Sequence, residues 1–221
     1  MCDHRSCVMK DMCGRFAFQG DQWPELTADV EQAVIEPNYN ICPRDKTPVI
    51  HYDSENLAIT SMQWGLRPSW SKESTMEPIN ARVETIDSKP MFREAYRQRR
   101  CLVPANGWYE WKTTPRGKVP FYHSVANQDV LLMAGIYEHW GEGERSLNTF
   151  TILTQQSNPE IQHIHNRMPL IIDEAEADSW LKDSQQPSSG ITIKVHPVDR
   201  EVNKTTAKGP QLIRPLRTLF D

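Results

Sequence analysis

No apolar run in the chain approaches the roughly 20 residues that a membrane-spanning helix needs. The first eleven residues are polar and mixed in charge, with no apolar stretch that could act as a secretory signal. These two absences lead us to expect a soluble, intracellular protein. Cysteine is sparse and poorly spaced for structural use: Cys2, Cys7, Cys13, Cys42 and Cys101 make an odd count of five at irregular intervals. That arithmetic excludes a disulfide framework of the secreted kind. Cys2, Cys7 and Cys13 with His4 lack the paired C-x2-C spacing of a structural zinc site, so no metal is expected. Internal repeats are missing, and the longest low-complexity stretch is the short loop at residues 185–190. Positive charge is not in excess either: 25 Lys and Arg face 29 Asp and Glu, a net of -4. Nucleic-acid binding over the whole surface is therefore excluded.

Hydrophobic residues make up 38% of the 221-residue chain and charged ones 24%, enough for a packed core. Charge is unevenly placed. Residues 21–40 carry five acids and no Lys or Arg, whereas residues 67–112 carry nine bases against six acids, among them Arg93, Arg97, Arg99 and Arg100. An acidic flank beside a basic middle leaves room for one basic groove, or for charges that only solvate helix faces.

Apolar spacing predicts a helix over residues 22–35, ended by Pro37, and further helices over 89–98 and 173–182, the last capped by Asp173. Strands are predicted over residues 48–52, 57–64, 101–112, 120–126, 130–139, 148–154 and 191–196, with hairpin turns at 113–118 and 141–144. Many strands at hairpin spacing with few helices point to one α+β domain on a mostly antiparallel, curved sheet.

Four stretches do not read as ordinary strand or turn sequence: Met12-Cys13-Gly14-Arg15-Phe16, Pro78-Ile79-Asn80-Ala81-Arg82-Val83-Glu84-Thr85, Ala105-Asn106-Gly107-Trp108-Tyr109-Glu110-Trp111, and His163-Ile164-His165-Asn166-Arg167-Met168-Pro169. Each has an ordinary structural reading. Asn80 and Arg82 could anchor a turn and an ion pair, Glu110 could be the polar side of an alternating strand, His165 a loop donor, and Cys13 a small core residue. Their occurrence together shifts the balance toward a site.

With Tyr39-Asn40-Ile41-Cys42-Pro43 and Trp64-Gly65-Leu66-Arg67-Pro68 added, these motifs make the chain resemble the SRAP family (SOS-response-associated peptidase, or abasic-site processing proteins), from Met12 to about Pro210. The resemblance implies a single α+β domain with a barrel-like sheet and a few flanking helices. It also implies a positively charged groove for single-stranded DNA and covalent capture of abasic sites through an amino-terminal cysteine. In the family that cysteine is residue two of the precursor. Here eleven residues precede Met12, so residues 1–11 are expected to be a leader absent from the working protein, residues 12–221 the SRAP domain, and Cys13 the nucleophile.

The resemblance and the chemistry together assign the remaining roles. Glu110, bracketed by Trp108 and Trp111, would have a raised pKa and shuttle protons. His165 would handle the sugar hydroxyl or the imine proton, and Asn80 would hold the ring oxygen or the amine. Arg15, Arg82 and Arg167 would bind flanking phosphates. Asn40 would lie on the DNA surface, and Arg67 and Trp70 would wedge against the bases beside the lesion. No cofactor is called for, and a monomer acting on single-stranded DNA is expected. Two other readings stay open at this point: a thiol peptidase using Cys13, His165 and Glu110, and a non-catalytic single-stranded DNA-binding module.

Overall fold

Strand-forming alternation organises most of the chain. The computed structural model describes residues 13–31, 35–71, 76–182 and 190–216; the expected leader lies outside them. Thirteen strands are found among the described residues: β1 (Arg15–Phe18), β2 (Asn38–Ile41), β3 (Lys46–Asp53), β4 (Asn56–Trp64), β5 (Asn80–Arg82), β6 (Arg100–Ala105), β7 (Gly107–Thr114), β8 (Gly117–Val125), β9 (Leu131–Trp140), β10 (Leu147–Gln156), β11 (Arg167–Pro169), β12 (Ile171–Ile172) and β13 (Ile193–Pro197). Two short helices accompany them, α1 (Arg93–Gln98) and α2 (Ala177–Lys182). No described helix is long and apolar enough to cross a membrane.

Five strands close into a ring. β3 pairs antiparallel with β4 and β6, β6 with β9, and β9 with β10, while β10 runs parallel to β4 through Thr149 and Phe150. Beyond Phe150, β10 leaves β4 and takes β5 alongside it in parallel, with Ile152 opposite Asn80. The end of β10 then pairs with β11. A second, antiparallel sheet has the order β13-β8-β7-β1-β2.

The chain passes from ring to second sheet at Asn106, where sequence alternation alone suggests one unbroken strand over 101–112. Asn106 Oδ1 accepts from the Gln19 N–H at 2.7 Å and its Nδ2 donates to Asp129 O at 2.7 Å, fixing the break. A Cβ on the next residue, Gly107, would lie 2.3 Å from His123 O, so only glycine lets β7 approach β8 there.

Alternation then divides the apolar residues. Phe16 and Trp108 of the second sheet pack in one cluster with Val103, Met133 and Phe150 of the ring, and Phe16 meets Trp64 edge-on at 5.1 Å. The opposite-facing ring residues Ile50, Leu102, Ala134 and Ile136 pack under Ala95 of α1 and Trp180 of α2. The outer face of the second sheet, Ala17, Tyr109 and Tyr122, is covered by Val198, Val202 and Leu212 of the C-terminal segment. The result is one α+β domain with a barrel-like sheet.

The helix expected over residues 22–35 is not formed in the described part, of which 32–34 is excluded. A single 3-10 turn, Glu25–Thr27, follows Pro24, whose ψ of 144° is extended. Trp23 packs edge-on against Phe18 at 5.3 Å and Ile35 against the same core, so the apolar residues serve the core from a meandering path. The expected helix over 89–98 is shortened to α1, and that over 173–182 is a 3-10 turn running into α2, with Asp173 accepting from Ala175 N at 3.0 Å.

Candidate active site

Pairing of β1 with β7 sets Arg15 opposite Tyr109 and Phe16 opposite Trp108, which brings the residues just before β1 alongside Glu110. Cys13 is 2% exposed and Glu110 3%. The Cys13 thiol donates a short hydrogen bond to Glu110 Oε1. From the parallel β5–β10 pairing, Asn80 reaches across and donates through Nδ2 to Cys13 O at 2.7 Å, while its Oδ1 is buried without a partner among the described residues. His165, in the loop before β11, places Nδ1 3.6 Å from Glu110 Oε2. The backbone of Arg167 holds that ring: its N–H donates to Nδ1 at 3.2 Å, and its carbonyl lies 3.0 Å away, ready to accept when Nδ1 carries the proton.

The electrostatics follow from burial. Desolvation pushes Glu110 up to about 8, against the opposing effects of the Cys13 hydrogen bond and the Lys118 charge. The Cys13 thiol is pushed well above its ordinary value, first by burial and then by Glu110. At neutral pH the pair is therefore mostly a neutral thiol against a neutral carboxylic acid. On the neighbouring strand β8, His123 is buried and stacked on Trp108 at 5.0 Å, and burial lowers it to about 4. An open cleft of about 560 Å³ leads to Glu110 between Gly14, Arg15, Trp111, Thr113 and Lys118 on one side and the loop 162–166 on the other.

The structure brings Cys13, Asn80, Glu110 and His165 together from four separate segments. Arg167 borders them, buried, with its guanidinium forked onto Glu84 at 2.7 and 2.9 Å and onto Thr154 O at 2.5 Å. Arg167 holds the Glu84 carboxyl below its ordinary range. Arg15 lines the cleft, yet its guanidinium donates to Asn40 Oδ1 at 2.9 Å and Val202 O at 2.6 Å. Asn40 is a correction to the sequence reading: it is fully buried, and its Nδ2 donates to Lys204 O and Ala207 O, both at 3.0 Å. A side chain with no exposed surface cannot meet a strand; Asn40 instead straps the C-terminal segment to β2. Arg67 is paired with Glu77 and lies over Trp140 at 5.0 Å. Trp70 is 66% exposed, and Arg82 is also exposed. Among the described residues no group of three or more His, Cys, Asp or Glu could hold a metal ion. Trp111 and His163 fall in the stretches singled out from sequence but were given no role of their own, and Lys118 was missed; the hairpin turn at 113–118 was the signal that could have placed Lys118 opposite Thr113.

Known proteins are similar to this chain over most of its length. The Abasic site processing protein YoqW of Bacillus subtilis is 32% identical over 225 residues, covering 91% of this chain and 99% of that one. The Abasic site processing protein YedK of Escherichia coli is 30% identical over 224 residues, covering 93% and 100%. A crystal structure of a protein from Bacteroides thetaiotaomicron superposes with a TM-score of 0.78 at 24% identity, over 93% of this chain and all of that one. The family model of the SOS response associated peptidase (SRAP) matches residues 12–205, and the chain belongs to that family.

Proposed function

We propose that this protein processes abasic sites in single-stranded DNA, inside the cell and as a monomer, by closing a thiazolidine ring between Cys13 and the open aldehyde of the sugar. The observation that carries the reading is the convergence of Cys13, Asn80, Glu110 and His165 in one buried cluster at the end of a polar cleft. Relatives bearing the name abasic site processing protein support it.

The reaction needs the α-amine of Cys13 to be free. It arises either by methionine excision from a chain started at Met12 or by cleavage of the leader before Cys13, for which self-processing is the companion activity. The amine, with a reference pKa of about 7.7–8.0, adds to the aldehyde carbon and one water leaves, giving an imine. The Cys13 sulfur then adds to that carbon while its proton ends on the nitrogen, so the whole reaction releases one water. Ring closure is intramolecular and gains the large effective molarity of such steps.

Glu110 suits both halves. As a neutral acid it protonates the sugar ring oxygen and the departing hydroxyl; once ionised it lies against Cys13 Sγ and accepts the thiol proton. His165 relays protons to and from Glu110 Oε2, and the unpartnered Asn80 Oδ1 supplies an acceptor for the amine. A thiol peptidase acting in trans would want the cysteine against the histidine. Here the carboxyl stands between them, which favours acid–base work on an aldehyde. A module that only bound strands would have no use for a buried acid and thiol.

The test is a gel-stable adduct with a single-stranded oligonucleotide carrying an abasic site, absent with the intact strand. Cys13→Ala is expected to abolish it. Wild-type adduct yield from Cys13→Ala would refute the assignment.

A further inference from the structure

The cleft above Glu110 has two walls, and the proposed phosphate-binding arginines account for only part of one. Of these, Arg15 is engaged by Asn40 and Val202 O and Arg167 by Glu84 and Thr154, while Arg82 is exposed but does not line the cleft. Lys118 differs. It stands exposed on the lip of the cleft and forms no ion pair among the described residues. Its backbone is nonetheless fixed, because Lys118 opposes Thr113 in the β7–β8 hairpin and Thr114 Oγ1 donates to Gly117 O at 2.7 Å across the turn. The facing lip presents exposed His163 and Asn166, on a loop pinned by buried Ile161 and Ile164. The ammonium of Lys118 is near enough for its charge to act on Glu110. A compact, unpartnered point charge at the edge of a polar channel is suited to a phosphate oxygen.

We propose that the cleft between the β7–β8 hairpin and the loop 162–166 carries the DNA strand on one side of the trapped sugar, with Lys118 binding a single flanking phosphodiester. The inference rests on the abasic-site reading for its substrate, and it adds a phosphate subsite at a cation that no protein carboxylate engages among the described residues.

The experiment measures equilibrium binding, by fluorescence anisotropy, of short single strands carrying a tetrahydrofuran abasic analogue, which has no aldehyde and cannot crosslink. A set of these strands replaces one flanking phosphate at a time with an uncharged methylphosphonate. At one position the wild type is expected to lose about fivefold to tenfold in affinity, Lys118→Ala to lose as much on the unmodified strand, and the variant to lose nothing further at that position. The slope of log affinity against log salt is expected to fall by about 0.7 in the variant, one single-strand phosphate contact. Lys118 is exposed, so the substitution leaves folding intact. Unchanged affinity, or methylphosphonate losses that add to the Lys118→Ala loss at every position, would overturn the assignment, including in favour of an acidic peptide as the cleft's occupant. A parallel arm with the true aldehydic strand keeps the two claims apart. Adduct formation with a silent Lys118 overturns only the subsite, and subsite binding without any adduct overturns only the abasic-site capture.

Discussion

Two buried titratable groups of the second sheet, Glu110 and His123, should give this protein a stability profile that single substitutions take apart. In the folded chain Glu110 keeps its proton up to about 8, whereas once unfolded it releases it near the ordinary value of 4.5. Its contribution is fully present below pH 4.5 and declines as pH rises to 8, by about 1.4 kcal/mol per unit and up to about 5 kcal/mol in all. His123 works in the other direction. Folded, it stays neutral down to about 4, while unfolded it charges below its ordinary 6.5. Its contribution is full above pH 6.5 and declines as pH falls to 4, by up to about 3 kcal/mol. Between pH 4.5 and 6.5 the two slopes cancel, so these groups leave the wild type level there and falling by about 2 kcal/mol from 6.5 to 8. Urea unfolding at half-unit steps of pH would read the differences, in which the other titrating groups drop out. Glu110→Gln is expected to gain stability from pH 4.5 to 6.5 and then stay level; His123→Leu is expected to lose it throughout. Curves for the two variants that run parallel to the wild type would refute the reasoning, since they would mean that neither group is held away from its ordinary pKa.

Asn40→Ala removes two good side-chain bonds to the carbonyls of Lys204 and Ala207 and the acceptor for Arg15. A loss of about 2–4 kcal/mol is expected in urea unfolding, with faster hydrogen exchange confined first to residues 200–208. Arg167→Leu removes the fork onto Glu84 and the guanidinium bond to Thr154 O beside the cluster, while the backbone bonds to His165 remain. Because Arg167 depresses the Glu84 pKa, that pair stabilises above pH 4.5 and its contribution is lost as pH falls. The variant should lack this acid sensitivity in the same unfolding series and should form adduct more slowly at neutral pH in a single-turnover gel assay.

Long strand-patterned segments were readable from sequence because a strand pattern held over seven or more residues has few rivals: residues 57–64 and 148–154 are strands. Short strands carry no such signal. β5, β11 and β12 have three, three and two residues and exist only because β10 and β9 offer edges to pair with. The helix at 22–35 failed for the converse reason: Trp23 and Ile35 fall at helical spacing by position, but tertiary contacts with Phe18 and its core hold the chain in another path. In the candidate site, the motifs named four side chains, Cys13, Asn80, Glu110 and His165, that the fold brings together. They could not distinguish Asn40 as a strut from Asn40 as a ligand, because burial under residues 198–208 is a property of the folded chain. Nor could they reveal that Arg15 donates to that same segment.

Intact-mass spectrometry of the protein trapped on an abasic oligonucleotide tests the ring-closure account at its centre. The expected mass is that of a chain beginning at Cys13 plus the strand less one water, with no adduct on molecules that retain residues 1–12. An adduct of equal yield on the extended chain, or one that has lost no water, would contradict it.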